Sequence, residues 1–80
     1  MKVIDKVKVL GRGYILVIIP DDEINITDTI LFDNIQFKIH GIERLSNMKQ
    51  IGLILSPNDV VGRLIEIDDE ITLLKYEDKI

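Results

Sequence analysis

The sequence predicts an all-β fold, a small closed or nearly closed antiparallel β-barrel of about six to seven strands in a single domain spanning residues 1–80. Three observations carry this expectation. Apolar residues recur in short runs with a period of two, and no apolar pattern of period 3.6 persists beyond about one turn. Proline, glycine, aspartate and asparagine interrupt those runs at short intervals. The runs are also so rich in isoleucine and valine that open strand edges would invite aggregation, which closure into a barrel would prevent.

The first strand is read from Val3 to Leu10, where Val7 and Val9 alternate with Lys6 and Lys8 as in a strand with one wet face. Gly11-Arg12-Gly13 follows, and two glycines at a join between strands imply a bulge or tight bend that a Cβ would resist. Tyr14 to Ile19 is almost wholly apolar, which suits a central strand covered on both faces. Pro20 to Glu23 breaks it, Glu23 to Ile26 resumes the alternation, and Thr27-Asp28 turns the chain again.

Thr29 to Phe32 reads as a strand that turns through Asp33-Asn34, a pair tolerant of left-handed backbone, into a long strand beginning at Ile35. Along that strand Ile35, Phe37 and Ile39 alternate with Gln36, Lys38 and His40, and then Ile42 takes up the apolar stripe out of phase. A glycine at the slip, Gly41, predicts a bulge there. Ser46 to Lys49 is read as a polar loop, Gln50 to Leu55 as a buried strand, and Ser56 to Asp59 as a turn. Asp59-Val60-Val61 is read as one helical turn, and Arg63 to Ile67 and Glu70 to Leu74 as two last strands around Asp68-Asp69. Residues 1–5 and 75–80 are expected to fray.

At 80 residues such a domain buries roughly 60–65% of its unfolded surface, so its stability margin is modest. The absence of cysteine excludes disulfides and thiolate metal sites, and a cytoplasmic setting is the expectation. Met1 to Lys6 mixes charges with apolar residues unlike a signal peptide, and the run from Tyr14 to Ile19 is far below the ~20 residues that span a bilayer, so no membrane partner is expected.

Net charge is −4, which disfavours bulk coating of nucleic acid. The charge is unevenly spread. Lys2, Lys6, Lys8 and Arg12 against Asp5 give +3 in residues 1–19, whereas Asp21, Asp22, Glu23, Asp28 and Asp33 give −5 in residues 20–33. A local basic patch is therefore compatible with an acidic chain.

The landmarks resemble, in order, those of the second domain of elongation factor Tu and related translational GTPases, the translation-protein β-barrel. A strand leads into Gly11-Arg12-Gly13, a β-branched strand follows, and Ile24 to Ile30 is similar to the family's apolar-Lys-Val-Gly-Asp segment. Ile39-His40-Gly41-Ile42-Glu43, Ile51 to Leu55 and Ile67 to Ile71 resemble three later family segments, so the resemblance covers about Val7 to Ile71. Thr27 and Ile18 stand where the family has glycine, and the loop between Arg44 and Ile51 is shortened in a region that in the family helps hold the aminoacylated end of transfer RNA. The GTPase domain's phosphate loop is missing, so no nucleotide is expected as a partner.

The candidate binding residues are Arg12, whose donor fork suits phosphate or carboxylate, with Lys8, Lys38 and Arg44 as further cations and Tyr14 as a stacking surface. His40 has no nucleophile or second base identifiable beside it, and turn formation accounts for Asp21-Asp22-Glu23 and Asp68-Asp69-Glu70. No catalytic residue, metal or cofactor is expected. The resemblance implies a stand-alone, non-catalytic binding module contacting RNA or a protein of the translation machinery. The other reading is a structural or protein-interaction barrel, self-associating through an edge strand, with no nucleic-acid role.

Overall fold

The computed structural model describes residues 1–45 and 49–77. It contains six strands and one short helix: β1 (Val3–Val9), β2 (Gly13–Ile18), β3 (Thr29–Phe32), β4 (Ile35–Arg44), β5 (Ile51–Ser56), α1 (Asn58–Leu64) and β6 (Thr72–Leu74). The strands form one antiparallel sheet in the order β1-β2-β5-β4-β3-β6. The chain is thus all-β apart from α1.

Of the expected closed or nearly closed barrel, the antiparallel all-β sheet is formed but it is not closed. Among the described residues β1 and β6 share no ladder, and the start of the chain meets the segment before β6 through the bridge between Lys2 and Glu70 and the backbone hydrogen bonds that flank it, Met1 with Ile71 and Val3 with Asp68 and Asp69. The reason lies in the chain before β6. Asp68 has a φ of 78°, the Asp69 amide donates to Glu66 O, and the Glu66 amide donates to Asp69 Oδ2, so the backbone turns where a closing strand would have to run straight. Asp68 donates its amide to Val3 O (2.8 Å), and Asp69 O accepts from the Val3 amide (2.9 Å). The opening residues are anchored by this turn, and Met1 adds an ion pair with Glu70 at 3.1 Å.

Both glycine devices anticipated from the sequence have physical causes. Val9 to Arg12 is a β-turn closed by the Arg12 amide on Val9 O (3.0 Å), with Gly11 at a φ of 81°. Gly13 has a φ of 86°, and a Cβ there would meet the Asn58 side chain at 2.8 Å. In β4 the register steps from Ile39 opposite Leu55 to Gly41 opposite Ile54, leaving His40 as the extra residue of a bulge. Asp33 and Asn34 take φ values of 51° and 64°, the left-handed pair that suits a tight hairpin.

Two expected strands are not formed. Glu23 to Ile26 runs outside the sheet because the buried Asp28 carboxylate accepts from the Asn25 amide (2.8 Å) while the Asp28 amide donates to Asn25 O, folding the segment into a turn. Arg63 to Ile67 is no strand either, since α1 continues through Gly62 to Leu64 and the Ile65 amide donates to Val61 O. The last strand is shorter than read, Thr72–Leu74. Most of the loop read at Ser46 to Lys49, and residues 78–80 of the tail, lie outside the described residues.

The core is built from Val3, Leu16, Ile18, Ile30, Phe37, Ile39, Leu53 and Leu55, with Val61 and Ile65 delivered from the helical side. The phase of β1 differs from its hydrophobic pattern. Lys6 lies opposite Leu16, on the face that α1 covers, and its ammonium donates to Gly62 O (3.0 Å) and Ile65 O (3.1 Å) at the end of the helix. The valine stripe consequently points to the other face of the sheet, where Val7 lies opposite Ile15 and is 41% exposed.

Candidate functional site

Strand alternation puts Asp5, Val7, Ile15 and Val17 on the face of the sheet away from the core: Asp5 pairs with Val17 and Val7 with Ile15, while the alternate residues of β2, Leu16 and Ile18, point inward. Gly52 of β5 lies between Val17 and Glu43 in the ladders, and a Cβ there would meet the Ile15 side chain at 2.6 Å. Small residues at this point let Ile15 settle into the sheet surface. The result is a shallow groove of about 410 Å³ with an apolar floor of Ile4, Val7, Ile15, Val17 and Leu45 and with Asp5 and Glu43 at its margin.

Arg12, Lys8 and Tyr14 belong to the β1–β2 hairpin. The Arg12 guanidinium is ion-paired with Glu43, and its carbonyl accepts from Asn58 Nδ2 at 3.2 Å. Its charge is therefore largely satisfied within the chain. Lys8 faces Tyr14 across the hairpin, with its ammonium 5.8 Å from the ring centroid. The same ring lies 5.4 Å from the Lys6 ammonium and packs against the backbone of Gly62.

Lys38 and Arg44 do not join that cluster. Arg44 is the exposed last residue of β4, opposite Ile51, whereas Lys38 lies opposite Ser56 on one side and Thr29 on the other. The five residues expected to make one patch are thus split among the hairpin, the middle of β4 and its end.

Lys38 instead lines a second groove, of about 760 Å³, on the outward side of β3 and β4. Gln36, Lys38 and His40 present a polar row there, and the turn around Thr27 and the side chain of Tyr76 form the facing wall. The wall is held by Asp28, which is only 2% exposed. Burial raises the Asp28 carboxyl, but amide donors from Tyr76 and Asn25 and the ammonium of Lys75 outweigh it and hold its pKa below the ordinary value. The Tyr76 amide and the Lys75 ammonium reach it at 2.8 and 3.0 Å.

Sequence reasoning missed the outward groove and the role of Tyr76. The signal for the first was the strict alternation of β1, whose phase is ambiguous when lysine stems can lie along an apolar surface. Tyr76 sits in a segment too polar to assign to any element. No protein-family model matches this chain, and no curated protein or solved structure matches it either.

Proposed function

We propose that this chain is a non-catalytic, cytoplasmic binding module of the kind it resembles, the second domain of elongation factor Tu, and that it docks on a protein of the translation machinery through the outward face of β1 and β2. The observation that carries this reading is the phase of β1: its lysine Lys6 serves the helix while Val7, 41% exposed, turns outward into a shallow groove over the buried Ile15 and Val17. An outward-facing valine in an apolar-floored groove is a surface that a protein partner would cover. Asp5, the exposed carboxylate lining it, favours a partner with a basic residue beside apolar ones and disfavours nucleic-acid phosphates, whereas the charge of Glu43 is already met by Arg12.

The test is co-sedimentation with ribosomes purified from the source organism. The unsubstituted chain is expected to pellet with them, and Val7→Lys, at a half-exposed position that tolerates charge, is expected to lower that association at least about tenfold, as loss of a buried valine contact implies. Lys8→Glu with Arg12→Glu should leave it nearly unchanged. Association lost only in the double charge reversal would instead favour contact with RNA through the hairpin, a reading supported by the placement of Lys8 beside the Tyr14 ring.

A further inference from the structure

The groove on β3 and β4 takes no part in the docking face and has chemistry of its own. Its one carboxylate, Asp28, is fully engaged by Asn25, Lys75 and Tyr76. Lys38 has no ion-pair partner among the described residues, so the groove presents an uncompensated ammonium on a chain whose net charge is −4. His40 follows Lys38 along the same outward row of β4, and Thr29 stands directly opposite Lys38 in the ladder. Across from them Tyr76 is fixed through its amide to Asp28, yet remains 60% exposed.

An ammonium unpaired among the described residues and carried on a strand, a hydroxyl opposite it in the ladder and an open aromatic residue across a groove are complementary to an anion carried on a flat ring. We propose that this groove binds a small organic phosphate bearing a planar ring, of which a nucleoside monophosphate is the simplest case. The phosphate lies at Lys38 with Thr29 and His40 as neighbours, and the ring lies on Tyr76. This site is built from side chains and differs from the backbone cradle of a phosphate loop, whose absence led to the expectation of no nucleotide. It is independent of the docking reading, since none of its residues lines the valine groove.

The experiment is an amide-resolved NMR titration of the full chain with adenosine monophosphate, adenosine and inorganic phosphate. Adenosine monophosphate is expected to shift the amides of Thr29, Lys38 and Tyr76 saturably and to bind more tightly than either fragment. Lys38→Ala should weaken it about tenfold and Tyr76→Ala at least about fivefold, while Tyr76→Phe, which keeps the ring, should bind like the unsubstituted chain. A 5′-phosphorylated tetraribonucleotide separates the two sources of such a ligand: tighter binding than the monophosphate assigns the groove to an RNA end, and equal binding assigns it to a free nucleotide. Shifts that do not saturate, phosphate binding as tight as the monophosphate, or an affinity indifferent to both Lys38→Ala and Tyr76→Ala would overturn the proposal.

Discussion

The ammonium of Lys6 lies 3.0 Å from the carbonyl oxygen of Gly62, and that contact sets the orientation of β1. The same nitrogen reaches Ile65 O at 3.1 Å and Glu66 Oε2 at 3.2 Å, so one lysine satisfies carbonyls at the end of α1 and is itself largely covered. A cation at this end also complements the helix dipole. Lys6→Met keeps the apolar stem and removes the charge, and it is expected to lower stability by about 1–3 kcal/mol, read as a fall in the urea midpoint at unchanged m-value. No change would mean that the lysine is not what holds the strand's phase.

Gly62 and Tyr14 make a second test of how the helix meets the hairpin. Alanine in a helix is worth about 1 kcal/mol over glycine, which alone would make Gly62→Ala stabilising. Here the new Cβ would lie 2.2 Å from Tyr14 Cε2 and 2.5 Å from Cδ2. Overpacking of this kind costs about 1–3 kcal/mol, so the substitution should be net destabilising. In a Tyr14→Ala background the clash disappears and the same Gly62→Ala change should become stabilising. A thermal double-mutant cycle reads the reversal of sign.

Asp28 gives the fold a defined response to acid. Its folded pKa is below its unfolded one, so the stability it contributes is fully present above the unfolded value of about 4 and is lost as pH falls through the folded value. Thermal unfolding followed from pH 7 to pH 2.5 should show this loss. Asp28→Asn replaces one acceptor oxygen by an amide NH2, itself a donor, facing N–H donors. It should be less stable at pH 7 by about 1–3 kcal/mol and should lose less than the unsubstituted chain on acidification.

Arg12→Ala should change stability by less than about 0.5 kcal/mol, because the guanidinium is half exposed and its ion pair with Glu43 is surface-screened. Chemical denaturation checks this. The glycines on either side are different in kind, since both have positive φ and Gly13 is also crowded by Asn58.

Local rules made much of the fold legible. Gly41 announced the bulge at His40 through a slip in the apolar phase, and Asp33-Asn34 announced the hairpin through its tolerance of left-handed backbone. Where the reading departed, tertiary contacts had overridden local pattern. Glu23 to Ile26 alternates like a strand, but Asp28 captures its backbone. Arg63 to Ile67 reads as a strand too, yet its start belongs to a helix whose end Lys6 secures from 56 residues away.

The candidate site was less legible than the fold for a related reason. Lys8, Arg12, Lys38 and Arg44 are equivalent as cations in sequence, and only pairing distinguishes them: Arg12 meets Glu43, whereas Lys38 faces a groove. Neither relationship is encoded by spacing along the chain.

The central claim, that the valine face of β1 meets a protein, is tested most directly by photo-crosslinking from single positions in the presence of purified ribosomes. A benzophenone side chain at position 7 is expected to link the chain to a protein of the ribosome at high yield, while the same group at position 63, on the exposed side of α1, links little. Crosslinks from position 7 that go to RNA, or yields equal from both positions, would contradict the account.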